Sequence, residues 1–289
     1  MLPGVREVPH PFFCARGRVN LLAYKLTIAP ALVALATLAG RRWGAAAAGL
    51  VAGLPIVSGP LLFFYAVEQG PVYASDAALA TLLGLLALCA FVLAYAWRAW
   101  SGGSALSSVA LGWVAFALVT LLVNRLLDAH AVSLGRALLY ALLALFLSLR
   151  SLPPEAPVPD GESAVPAGFS GAPRPGAGDL ALRMLAAALL VWALTSFAQR
   201  LGPRLGGLLT PFPVASTVLA VFAHLQGGSP GVRAVLKGLL LALNAFAVFC
   251  AVLAAALVAW GVGPSFGAAL LCAGLVQAAV LALPRRRRA

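Results

Sequence analysis

The chain has 289 residues, 62% of them hydrophobic and 10% charged, with a mean hydropathy of +0.99. A water-soluble domain of that composition could not cover its own core, so the sequence is that of a polytopic membrane protein. A net charge of +12 does not point to nucleic acid here, because the basic residues stand singly or in short groups at the ends of apolar runs, the densest being Arg285 to Arg288; charges so placed hold helix ends at a membrane surface.

Residues 1–20 read as an N-terminal tail. They carry Pro3, Pro9, Pro11 and three arginines without an apolar core, so no cleavable signal peptide is expected and the first membrane helix serves as the targeting signal. A crossing needs about 20 apolar residues. Nine segments meet that measure: 21–39, 45–67, 76–98, 105–124, 131–149, 180–199, 205–225, 234–259 and 263–283. Between the fifth and the sixth, residues 151–178 hold seven prolines and no apolar periodicity, the composition of a disordered linker. Residues 284–289 form a basic tail. Cys14, Cys89, Cys250 and Cys272 have no metal-like spacing and read as small packing residues.

The forty-six residues from Lys25 align without a gap to those from Arg183, an offset of 158, with thirteen identities. Roughly six are expected by chance in a chain this rich in Ala and Leu. The shared set includes Thr37/Thr195, Arg42/Arg200, Gly44/Gly202, Gly49/Gly207, Pro55/Pro213, Ser58/Ser216, Phe64/Phe222 and Gly70/Gly228. The same offset carries 105–124 onto 263–282, so the unit is four helices, and 131–149 has no counterpart. The expected organisation is a first four-helix repeat at 21–127, a linking helix at 128–150, the linker, and a second repeat at 179–283. The odd crossing between two even units would invert the second relative to the first, about a pseudo-two-fold axis in the membrane plane.

Charge bias leaves two layouts open. With nine crossings, eight basic residues fall on the N-terminal side and twelve on the other; if 131–149 does not cross, the split is fifteen to five. Against the second layout stands the cost of leaving AVSLGRALLYALLALFLSL in water, interrupted only by Arg136 near one end. Nine crossings is the expectation.

Proline in mid-helix removes a backbone donor and frees polar backbone in hydrocarbon unless protein or water satisfies it. Pro55 and Pro213 fall near the midpoints of the second and seventh segments, each followed three residues later by a serine, Ser58 or Ser216; Pro60 and Pro211 add further breaks. Broken helices facing each other at the midplane are where inverted-repeat transporters hold their substrates. Pro55, Ser58, Pro213, Ser216 and Thr217 are therefore candidate substrate-binding residues, against the plainer reading of two kinks whose serines bond to their own helices. His224, at the end of its segment, and Asn244, a mid-helix amide comparable to Gln277, complete the candidate set; either could instead be structural. Gly40, Gly44, Gly49 and Gly53, with Gly202 and Gly206, give small-xxx-small spacings expected to let helices pack closely. No carboxylate lies at mid-membrane, and His10, His130 and His224 are too dispersed for a metal site. No nucleophile sits beside a base, so neither catalysis nor a cofactor is expected.

From Gly206 to Leu240 the chain reads GGLLTPFPVASTVLAVFAHLQGGSPGVRAVLKGLL. This stretch resembles the GlpM-like family of small bacterial four-helix membrane proteins, through Gly207, Pro211, Phe212, Pro213 and His224; the first unit matches more weakly and lacks the histidine. The resemblance implies a four-helix unit in a bacterial inner membrane and supplies no reaction. The combined expectation is a permease-like protein moving a small solute or lipid, in contact with membrane lipid and compatible with a homo-oligomer. A non-transporting accessory of an envelope assembly and a channel are the alternatives.

Overall fold

The computed structural model describes residue 55, residues 58–154, isolated helical positions between 181 and 192, and residues 198–282. The first expected helix, most of the second and sixth, the linker beyond residue 154 and the C-terminal tail lie outside the described residues. Within them the protein is all-helical: α1 (Ser58–Glu68), α2 (Pro71–Trp100), α3 (Ala105–Ala129), α4 (Leu134–Arg150), α5 (Ala198–Leu209), α6 (Val214–Trp260) and α7 (Val262–Ala282). Four spans are long and apolar enough to cross a membrane, namely α2, the first 23 residues of α3, residues 227–260 of α6, and α7. The chain is a multi-pass membrane protein.

α2 is the axle of the bundle. Its most apolar window is 72% buried inside the protein, against 17% for α7. Apolar side chains gain little by leaving lipid for protein, so membrane helices associate where small residues let backbones approach. α2 is built for that, burying Ala74, Ala77, Ala78, Ala80, Gly84 and Ala87. α3 and α7 instead present Leu118, Leu121, Leu122, Leu270, Leu271 and Leu275 outward, the face of a helix against hydrocarbon.

A few contacts fix the directions. Ser101–Ser104 turn the chain from α2 into α3; Gly102 has φ 80°, and the Ser104 hydroxyl caps α3 by accepting from the Ser107 N–H. α4 starts where α3 ends. It finishes beside the end of α2, where the Trp97 Nε1 donates to Ser151 O at 2.9 Å. α4 thus runs the same way as α2, although its 17 residues make it shorter than any of the four spans. The second limb of α6 runs oppositely, since Arg233 lies near Ala96 and Trp100 while Ser75 at the start of α2 donates to Ala254 O at 2.8 Å. The two ends of the bundle are called here the Trp100 end and the Pro71 end.

Several details differ from the sequence expectation. Pro60 does not break α1; it occupies the third position, inside the first turn, where its missing N–H costs no helical bond. Gly202 is not a packing glycine: it has φ 70°, breaks α5 and would place a Cβ in open space. The close packing falls to Gly207, whose added Cβ would collide with the Ala77 carbonyl and meet the Ala80 Cβ at 2.6 Å. The seventh and eighth expected segments join as α6 across a kink at Gly228, φ 55° and ψ −152°, a conformation essentially confined to glycine. Residues 151–154 are an ordered strap on the bundle, with Leu152 and Pro153 buried.

Candidate functional site

The sequence from Gly206 to Thr217 dictates a broken helix. Pro211 and Pro213 have no N–H to give, so the ladder of α5 cannot continue through them. The chain closes its carbonyls locally instead. The Thr210 N–H donates to Gly207 O at 3.0 Å and its hydroxyl to Gly206 O at 2.8 Å, while the Phe212 N–H donates to Leu209 O at 3.0 Å. The Thr81 hydroxyl on α2, itself bonded to Ala77 O at 2.7 Å, also reaches Gly207 O at 3.1 Å. α6 then starts afresh behind Pro213, whose carbonyl takes the Thr217 N–H at 2.9 Å.

α1 starts in the same manner. The Pro55 carbonyl takes the Gly59 N–H at 2.8 Å, which is the same bond displaced by 158 residues. Each half-helix ends near a glycine of positive φ, Gly70 (95°) or Gly228 (55°), also related by that offset, and the chain then reverses into a long helix. The two starts meet. The Ser58 hydroxyl donates to Thr210 O at 3.3 Å, inside the break.

The meeting point lies at mid-depth. A Cβ added to Gly84 would come within 2.7 Å of Leu208 O and 2.9 Å of the Pro211 Cγ, and Gly84 is the fourteenth residue of the thirty in α2. From there α1 runs to the Pro71 end and the first limb of α6 toward the Trp100 end, so the two N-terminal turns point at each other. A first turn carries N–H groups without carbonyls one turn back, and Pro213 makes no side-chain cap. The partial positive ends of two helices therefore converge on hydroxyl-bearing residues in the middle of the bundle.

Its third side is aromatic. The Trp113 Nε1 on α3 donates to the Thr217 hydroxyl at 3.1 Å, and the Phe212 ring lies 5.7 Å from Trp113 and 5.3 Å from Phe116. Sequence reading missed Thr81, Gly84, Thr210 and Trp113. The signal that existed was a threonine, a glycine and a tryptophan well inside apolar runs, and nothing local tied them to the prolines.

Of the seven candidate residues, the structure brings Pro55, Ser58, Pro213, Ser216 and Thr217 to this junction, with Ser216 buried in the first turn of α6. It does not bring His224 there. That ring stands ten residues beyond Val214, its Nδ1 3.5 Å from the Tyr95 hydroxyl and its centroid 6.1 Å from the Tyr95 ring. Asn244 lies between the two anchored ends of the second limb, but its Nδ2 donates to Leu240 O and Leu241 O of its own helix, each at 3.1 Å. It caps internal carbonyls rather than bridging to a neighbour. Among the described residues no group of three His, Cys, Asp or Glu side chains is placed to hold a metal ion. No family model, curated protein or solved structure matches this chain.

Proposed function

We propose that the protein is a permease-like membrane protein that moves a small solute or lipid, with its site where the starts of α1 and α6 meet. The observation that carries this reading is the Ser58 to Thr210 contact between two proline-started half-helices at the mid-depth of α2. Backbone released from helical pairing is tolerated in a membrane only where protein or water satisfies it, and that is where transporters bind their substrates. The carbonyls of Gly206, Gly207, Leu209, Thr210 and Pro213 already have donors, so the chemistry on offer is mainly that of N–H and hydroxyl groups. It suits a solute that presents acceptor oxygens. The arrangement described is closed, with Trp113, Phe116 and Phe212 over the junction, and α3 is the element whose displacement would open it.

The duplication at offset 158, the inverted four, one, four organisation with nine crossings, and the GlpM-like kinship belong to the same proposal. The paired prolines and glycines and the direction of α4 support the first two, and the kinship rests on the Gly206 to Leu240 stretch alone. A second reading, a non-transporting accessory, is favoured by the tightness of the α2–α5 seam at Gly84 and Gly207.

The two readings separate in one experiment. Cells expressing the protein are screened for protein-dependent accumulation across labelled carboxylates, phosphate esters and neutral sugars. Replacing Ser58 and Ser216 together by alanine removes two hydroxyls worth about 0.6 kcal/mol each as interhelical bonds, so abundance should hold while accumulation of the identified solute falls about tenfold or more. Accumulation at the wild-type rate would leave the accessory reading standing.

A further inference from the structure

Among the described residues three buried side-chain polar atoms have no hydrogen-bond partner: the Tyr65 hydroxyl, the Thr120 Oγ1 and the Gln277 Oε1. A buried polar group left unpaired is costly and asks for an explanation. Only Tyr65 stands on a helix that starts at the junction. It lies seven residues after Ser58 on α1, two turns on and on the same face. Its ring is fully buried and packs edge to face on Tyr73 at 5.3 Å.

The hydroxyl is aimed at α5. A Cβ built on Gly206 would stand 3.1 Å from the Tyr65 hydroxyl and 3.3 Å from that of Tyr73. The Gly206 carbonyl is taken instead by the Thr210 hydroxyl, one turn along, and Thr210 O is where Ser58 donates. Two hydroxyls of α1 thus follow the end of α5 in step. Ser58 is paired inside the break, and Tyr65 is idle one turn nearer the Pro71 end.

This seam is lightly closed. α1 packs chiefly on α2 and more weakly on α7, while α5 is held by α2. With only 11 residues, α1 joins α2 through Gly70, whose φ of 95° and open surroundings suit a hinge. Trp113 covers the junction through Thr217 on the first limb of α6, which leads to the Trp100 end, and the seam of α1 and α5 faces the opposite end.

We propose that the solute passes between the junction and the Pro71 end along the seam of α1 and α5, and that the Tyr65 hydroxyl donates to its acceptor oxygen on the way. The inference rests on the permease reading and adds to it a route and a further donor. Swinging α1 outward about Gly70 parts Tyr65 from Gly206 and uncovers the hydroxyl. Glycine at 206 keeps the passage clear of a side chain.

The test uses the full chain in nanodiscs. Tyr65→Cys and Tyr95→Cys make the same truncation at two fully buried tyrosines, one on the seam and one toward the Trp100 end of α2. The reagent is (2-sulfonatoethyl) methanethiosulfonate, which is water-borne and itself carries acceptor oxygens. Read by peptide mass spectrometry, Tyr65→Cys should be modified about tenfold faster, in proportion to how often each site opens. Equal rates would mean that the seam stays shut, which overturns the inference and leaves the junction untouched. Tyr65→Phe removes the hydroxyl alone. It should melt at or above the wild-type temperature, because no bond is lost, and should raise the half-saturating concentration of the solute found in the accumulation screen about tenfold. A lower melting temperature would show that the hydroxyl is paired within the fold, and an unchanged half-saturation that the solute never meets it; either result overturns the inference. Failure of the permease reading shows elsewhere, as wild-type accumulation by the Ser58→Ala/Ser216→Ala protein, and would take the donor assignment with it.

Discussion

One methyl group at position 84 tests how tightly the junction is built. Gly84→Ala would push a Cβ against Leu208 O and the Pro211 Cγ, both fixed parts of the break, whereas Gly135→Ala in α4 would meet nothing within 4 Å. Overpacking of that kind costs about 1–3 kcal/mol, while a helical glycine in open space gains roughly 0.5–1 kcal/mol on becoming alanine. The two variants should shift the melting temperature of the purified protein in opposite directions. Equal shifts would mean that α5 does not press on α2 at Gly84. The serines and prolines of the junction were legible in the sequence because they recur at a fixed offset. Gly84, Thr81 and Trp113 were not, since each gets its meaning from a residue 104 to 127 positions away, and an isolated glycine or tryptophan in an apolar run looks like packing.

At the scale of elements, helix type and most boundaries followed from apolar run length, as in α3, α4 and α7, which begin and end within a few residues of the expected segments. The kinks were harder, because a glycine in a helix-like run can pack, turn or do neither. Gly202 illustrates the difficulty: spacing suggested close packing, and its backbone conformation shows a turn. Gly228 is the more consequential of the two, as it converts one continuous apolar stretch into a limb that rises from the junction and another that descends along α2. Gly228→Ala would force a residue with a Cβ into a region that costs of order 1–3 kcal/mol. The expected outcome is reduced stability with partial loss of the Arg233 to Pro153 contact, read as faster trypsin cleavage after Arg150, at the start of the strap. Unchanged cleavage would show that the second limb holds its place without the kink.

For the whole molecule, the nine-crossing layout divides the basic residues twelve to eight in favour of the side that carries Arg98, Arg150, Arg233 and Lys237, so the positive-inside rule predicts that the Trp100 end faces the cytoplasm. Single cysteines introduced at Gly102 and at His130 should therefore be labelled by an impermeant maleimide from opposite sides, Gly102 only after the membrane is opened. Labelling of both from outside intact cells would overturn the orientation and the direction assigned to α3. A third cysteine at Ser151 should behave like Gly102, since α4 returns to the Trp100 end; accessibility like that of His130 would mean that α4 lies along one surface and that the repeats are parallel.

The strap of residues 151–154 has a consequence for how the protein is assembled. Its anchors come from both halves of the chain, Trp97 before the linker and Arg233 after it, and α2 packs against both α5 and α6. Continuity of the polypeptide between residues 155 and 178 is thus not what keeps the halves together. Residues 1–160 and 170–289 produced as separate polypeptides should find each other in the membrane and copurify through a tag on either one. The protein would then behave as a heterodimer whose subunits happen to share a single reading frame.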